Sequence, residues 1–99
     1  MSKSGFHITK RETDEGEIVG FKMFFENGYG VSVIFGGVSN SDDIKITQFS
    51  GSTDYFCENA EVAVLNPTGN LVPFGKNDKI KEKVLPEQLP QIISWVMNR

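Results

Sequence analysis

Asn27-Gly28 falls between two runs of alternating apolar and polar residues, and this pairing narrows the possible folds more than any other feature of the chain. A tight type I′ hairpin turn needs positive φ at both central positions, and Asn followed by Gly supplies it at least cost. Before the turn, residues 18–26 send Phe21, Met23 and Phe25 one way and Lys22, Phe24 and Glu26 the other, as successive strand side chains must. After it, residues 29–35 set Val31, Val33 and Phe35 on one face against Ser32 and Ile34. The spacing predicts an antiparallel hairpin pairing residues 21–26 with 29–35. Its first arm carries a Phe on each face and so belongs inside a sheet.

The same alternation predicts the neighbouring elements. Phe6 to Lys10 reads as a first strand, closed by the turn Thr13-Asp14-Glu15-Gly16. A polar loop, residues 36–43, precedes a strand over 44–49 that suits an edge. Residues 50–54 are loop-like, and Tyr55-Phe56-Cys57 fits either a strand start or an irregular cover. Residues 60–65 form a strand, halted by Asn66-Pro67-Thr68-Gly69-Asn70, and Leu71 to Phe74 returns beside it, at an edge because Pro73 lacks a ladder donor. Pro86 at a first helical position, followed by Leu89, Ile92, Ile93, Val96 and Met97, predicts an amphipathic helix of about three turns. Pro90 fits such a helix only within its first turn. The expected fold class is α+β: a predominantly antiparallel sheet of five to six strands with one C-terminal amphipathic helix packed on it.

Length and composition agree with one domain over residues 1–99. A chain of 99 residues supports one core better than two, and 38% hydrophobic with 23% charged residues is a globular balance. Eight Phe, two Tyr and one Trp supply apolar area without disulfides. The single cysteine, Cys57, excludes an intramolecular bridge and fits a reducing compartment. The first residues lack the apolar stretch of an export signal and no run of eighteen apolar residues occurs, so a cytoplasmic location without a membrane span is expected. A net charge of −3 with scattered Lys and Arg argues against duplex nucleic acid as a partner.

Few residues offer chemistry. His7, the only histidine, sits in a strand pattern without a nucleophile elbow, and Cys57 has neither a helix N-terminus nor a basic neighbour to activate it. Asp42 and Asp43, with Ser39, Asn40 and Ser41, lack the spaced carboxylates of a calcium loop, and one His with one Cys cannot close a zinc site. No metal and no cofactor is expected. Gly28-Tyr29-Gly30 and Gly36-Gly37 punctuate hairpins rather than cradle phosphate. A nucleotide could be held by stacking and cationic contact, for which Tyr29, Tyr55, Phe56, Lys45, Lys76 and Arg11 are the candidate residues.

One short helix covers one sheet face, while Phe24 and Ile34 lie on the other, so self-association, most simply a symmetric dimer, is expected through Phe24 and Ile34 or through the helix flank at Trp95. A barrel-like monomer, closed by the first strand and residues 50–58, is the competing expectation.

The run Phe24-Phe25-Glu26-Asn27-Gly28, then Val31-Ser32-Val33, Ala60-Glu61-Val62-Ala63-Val64, and Leu85-Pro86-Glu87 through Trp95-Val96 resembles small tailed-phage accessory proteins of unassigned function. The likeness spans roughly residues 20–97; this chain adds the polar stretch 36–43 where such proteins carry a simple turn. The resemblance implies a protein of the infected bacterial cytoplasm that inhibits host machinery or defence, by covering a protein surface or by sequestering a nucleotide signal. Such a protein is a binder and not an enzyme. A small hydrolase or metal-dependent enzyme using Asp42, Asp43 or Asp54, and a minor virion component, are the alternatives. Converging cations and rings would favour the nucleotide, and a solvent-facing apolar patch a protein partner.

Overall fold

The computed structural model describes residues 4–14, 16–36, 45–73 and 79–99. It is an α+β fold, an antiparallel sheet carrying one C-terminal helix. Strands β1 (Gly5–Thr13), β2 (Gly16–Phe24) and β3 (Gly30–Gly36) form a meander. A separate hairpin of β4 (Lys45–Phe49) and β5 (Ser52–Phe56) follows. The chain then returns as β6 (Ala60–Leu65) beside β3, and β7 (Leu71–Val72) and β8 (Ile80–Val84) share the outer side of β6. Helix α1 (Leu89–Met97) ends the fold.

The core lies between the helix and one sheet face. Val31 and Val33 of β3, Val62 and Val64 of β6, and Val96 of α1 are essentially inaccessible, with Ala60, Val72, Val84 and Ile92 around them. Alternation delivers this, since Val31 pairs with Val64 and Val33 with Val62, and paired antiparallel residues share a face. Branched side chains are stiff and lose little rotamer freedom on a pleated surface, which suits an all-valine floor.

The Asn27-Gly28 hairpin forms, but with a different turn. Gly28 N–H donates to the Phe25 carbonyl and Phe25 N–H to the Tyr29 carbonyl, and Gly28 alone has positive φ, +89°. This is a type I turn with a glycine bulge, three residues long, rather than the two-residue I′ form. Residues 66–70 repeat it, with Gly69 at φ +87°. The I′ pattern occurs instead at Ser50-Gly51, where both residues have positive φ, and it joins two strands in a segment whose sequence reads as loop.

Two further departures have local causes. The helix starts at Leu89, not Pro86: a helix begun at Pro86 would set Pro90 in its second turn, where the missing donor and the ring both oppose an i−4 bond. Residues 85–88 form a turn instead, with Gln88 N–H on the Leu85 carbonyl and Leu85 N–H on Gln88 Oε1. Strand β8 escapes the alternation rule because it is charged and exposed through Lys81, Glu82 and Lys83, and a register shift opposite Glu61 places Lys83 at φ +49°. Charge and a bulge are how an edge strand resists unwanted pairing.

The second sheet face is partly self-sheltering. Phe24 pairs with Gly30 and Ile34 with Gly20, and both large side chains lie over the glycine opposite: a Cβ at Gly30 would stand 2.7 Å from the Phe24 ring, and one at Gly20 3.4 Å from Ile34 Cγ1. His7 meets the Phe24 ring edge-on at 5.4 Å between centroids. Phe24 and Ile34 are accordingly half-buried.

Candidate functional site

Tyr29 and Trp95, candidates for ligand binding and for an interface, meet at the C-terminal end of α1. The Arg99 guanidinium lies 4.7 Å from the Trp95 ring centroid and 5.4 Å from that of Tyr29. Their juxtaposition follows from the β2–β3 turn, which folds against the last helical turn and hands its Asn27 amide to the Val96 carbonyl. A broad, shallow concavity of about 980 Å³ opens here, lined by Tyr29, Gln91, Ser94, Trp95, Asn98 and Arg99. The two rings already share one internal cation, so this place is engaged by the protein itself.

Tyr55 and Phe56 lie on β5, beside Val19 and Phe35, some six β2 positions from the turn that holds Tyr29, or roughly 20 Å at strand rise. The cation over Tyr55 is Lys10, 5.0 Å from the ring centroid. Arg11, one residue on, is exposed and points to the other sheet face. Lys45 pairs with Phe56 in the β4–β5 ladder, and nothing is described of its side chain. Lys76, Asp42 and Asp43 lie outside the described residues. Of the six ligand-binding candidates, Tyr55, Phe56 and Lys45 share the β4–β5 hairpin, Tyr29 lies apart with Arg99, Arg11 is on the other sheet face, and Lys76 is outside the described residues.

A different arrangement stands out between the end of β5 and the start of α1. The crossing from β5 to β6 (residues 57–59) and that from β8 to α1 (residues 85–88) border an apolar hollow of about 240 Å³, lined chiefly by Phe21, Val33, Phe35, Cys57, Leu85 and Leu89. A second hollow of about 210 Å³, against Val19, Tyr55 and Phe56, shares Phe35 and Cys57 with the first. At its rim Phe56 is 54% and Leu85 45% exposed, too much for core residues of their size. Few polar groups face inward, so the hollows suit desolvation of an apolar group rather than proton or phosphate chemistry. Leu85 carries no sequence signal for this place, since the charged strand before it does not alternate and only the fold shows Val84 buried and Leu85 exposed.

Among the described residues no three His, Cys, Asp or Glu side chains are grouped as metal ligands would be, and no helix is long and apolar enough to cross a membrane. A scan against protein-family models finds no match, and searches of curated proteins and of solved structures find none either.

Proposed function

We propose that this chain is a non-enzymatic accessory protein that binds a protein partner and inhibits or sequesters it, acting in the cytoplasm of an infected bacterium as its resemblance to small tailed-phage proteins implies. The observation that carries the reading is the pair of adjoining apolar hollows with exposed Phe56 and Leu85 at their rim. Aromatic and aliphatic anchors around a desolvated pocket are the usual source of protein-binding energy. A nucleotide signal would instead call for cations and rings in one place, whereas Tyr29 with Arg99 and Tyr55 with Lys10 form two separate ring–cation pairs far apart on the sheet. The protein works as a homo-oligomer, most simply a dimer.

The test is affinity capture of host proteins from a bacterial extract, followed by titration of the purified captured protein. Phe56→Glu and Leu85→Glu should each abolish binding without lowering the melting temperature, while Arg11→Ala and Tyr29→Ala retain it. A nucleotide carried through purification, seen by native mass spectrometry and lost in Tyr29→Ala or Arg11→Ala, would replace this reading with the sequestering one.

A further inference from the structure

We propose that two copies of this chain pair antiparallel along β1, about a twofold axis at His7 that sets Phe6 of each copy against Ile8 of the other. The inference rests on the dimer in the function proposed above, and not on what that dimer binds.

The two edges of the main sheet differ in kind. At one, β7 has two residues and is followed by Pro73, and β8 is charged and bulged. At the other, β1 runs nine residues in unbroken register with β2 and carries Phe6 at 69% and Ile8 at 82% exposure. A long edge strand without a bulge, with exposed apolar side chains at its first half, is the kind that recruits another strand. Phe6 pairs with Met23 and Ile8 with Phe21, and Phe21 packs on the core, so both exposed side chains lie on the helix-bearing face.

The direction of the outer backbone groups follows from the ladder. Phe25 N–H donates toward β3, so odd-numbered β2 residues direct their polar groups to β3 and even-numbered ones to β1. Even β2 residues pair with odd β1 residues, as Lys22 does with His7. The N–H and C=O of Phe6, Ile8 and Glu12 therefore point out of the sheet edge.

A second copy satisfies those groups and chooses its own register. With the axis at His7, Phe6 opposes Ile8 of the second copy twice over, Lys10 opposes Ser4, and all four apolar side chains share one face. An axis at Ile8 would set Phe6 against Lys10, and an axis at Thr9 would set it against Glu12. From their exposures the four side chains offer about 600 Å² of apolar surface, before the backbone edges are counted, against roughly 1,200 Å² for the smaller stable interfaces. Such a contact suits a weak, concentration-dependent dimer.

Sedimentation velocity of the full chain over about 1 to 200 µM tests whether a dimer exists, and Ile8→Lys should weaken it at least about tenfold while Trp95→Lys does not. His7 meets its twin as a non-hydrogen-bonded pair, with Cα atoms roughly 4.5 Å apart, which a disulfide can span. His7→Cys in a Cys57→Ser background should cross-link under mild oxidation, and Thr9→Cys in the same background should not. A dimer that survives Ile8→Lys, or in which Thr9→Cys cross-links as readily as His7→Cys, overturns the β1 interface and leaves the oligomer standing. A monomer at every concentration overturns both.

Discussion

The side-chain amide of Asn27, in the β2–β3 turn, donates a hydrogen bond to the main-chain carbonyl of Val96, 69 residues away in the last turn of α1, at 3.0 Å. The same nitrogen stands 3.5 Å from the Met97 carbonyl and 3.4 Å from that of Arg99. The last carbonyls of a helix have no partner within it, so a turn side chain here does the work of a C-terminal cap. On its other side Asn27 Oδ1 accepts from Tyr29 N–H at 3.0 Å, which holds the turn.

Asn27→Asp separates the two roles. The carboxylate keeps the acceptor for Tyr29 but loses the donor and sets a negative charge at the negative end of the helix dipole. We expect a loss of about 1–3 kcal/mol, larger than for Asn27→Ala at about 1 kcal/mol. Urea denaturation measures both, and amide exchange in the last turn of α1 should quicken. An Asn27→Asp variant as stable as the parent would show that the contact contributes nothing.

Gly30 is held to glycine by its neighbour across the ladder. A Cβ there would lie 2.7 Å from Phe24 Cδ1 and 2.9 Å from the Met23 carbonyl oxygen, so Gly30→Ala must displace the ring and strain the backbone. Overpacking of this kind costs about 1–3 kcal/mol. In a double-mutant cycle with Phe24→Ala the two losses should not add, because the second change removes the ring the first collides with and leaves only the Met23 carbonyl contact. Strict additivity would mean that the ring does not rest on Gly30.

The parts legible in the sequence are those governed by local alternation. The strands expected over residues 18–26, 29–35 and 60–65 fall on β2, β3 and β6, and Ile92 and Val96 form a buried helical face, because burial on one side imposes a period. The turn at Asn27-Gly28 differs from the expected I′ form because the dipeptide suits either form and its geometry answers to Val96, far along the chain. Strand β8 was invisible because an exposed edge needs charge more than alternation. At the candidate site, Trp95 and Arg99 are neighbours one turn apart at the end of α1, but Tyr29 reaches them from the β2–β3 turn only through packing, and one step of alternation gives Tyr55 its cation from Lys10 rather than Arg11.

Arg99 lies over two exposed or half-buried rings, so its removal should be felt more in spectra than in stability. Cation–π contacts at exposed sites contribute about 0.5–1 kcal/mol. Arg99→Ala retains the main-chain bond from Arg99 N–H to the Val96 carbonyl, so the helix end stays closed. Emission from Trp95, the only tryptophan, should shift to the red as its face opens to water. An unchanged spectrum would place the guanidinium away from the ring in solution.

Ser50 and Gly51 form the two-residue turn between β4 and β5, with φ of +48° and +82°, and Phe49 pairs directly with Ser52 across it. A Cβ added at Gly51 would meet no atom within 4 Å, so Gly51→Ala tests backbone conformation alone. The left-handed region costs an L-residue with a Cβ about 1–2 kcal/mol, and Asn bears it better than Ser through its short polar side chain. Gly51→Ala should therefore loosen the hairpin, and Ser50→Asn should tighten it by a few tenths of a kcal/mol. Since β4 and β5 form a two-stranded sheet outside the main ladder, and isolated hairpins are marginal, the effect belongs to local opening rather than to global unfolding. Amide exchange should accelerate across Ser52 to Tyr55 in Gly51→Ala while Val62 and Val64, in the centre of the core, keep their protection. Equal acceleration at both places would mean that the hairpin and the main sheet open as one unit, and the assignment of a separate, turn-limited element would be wrong.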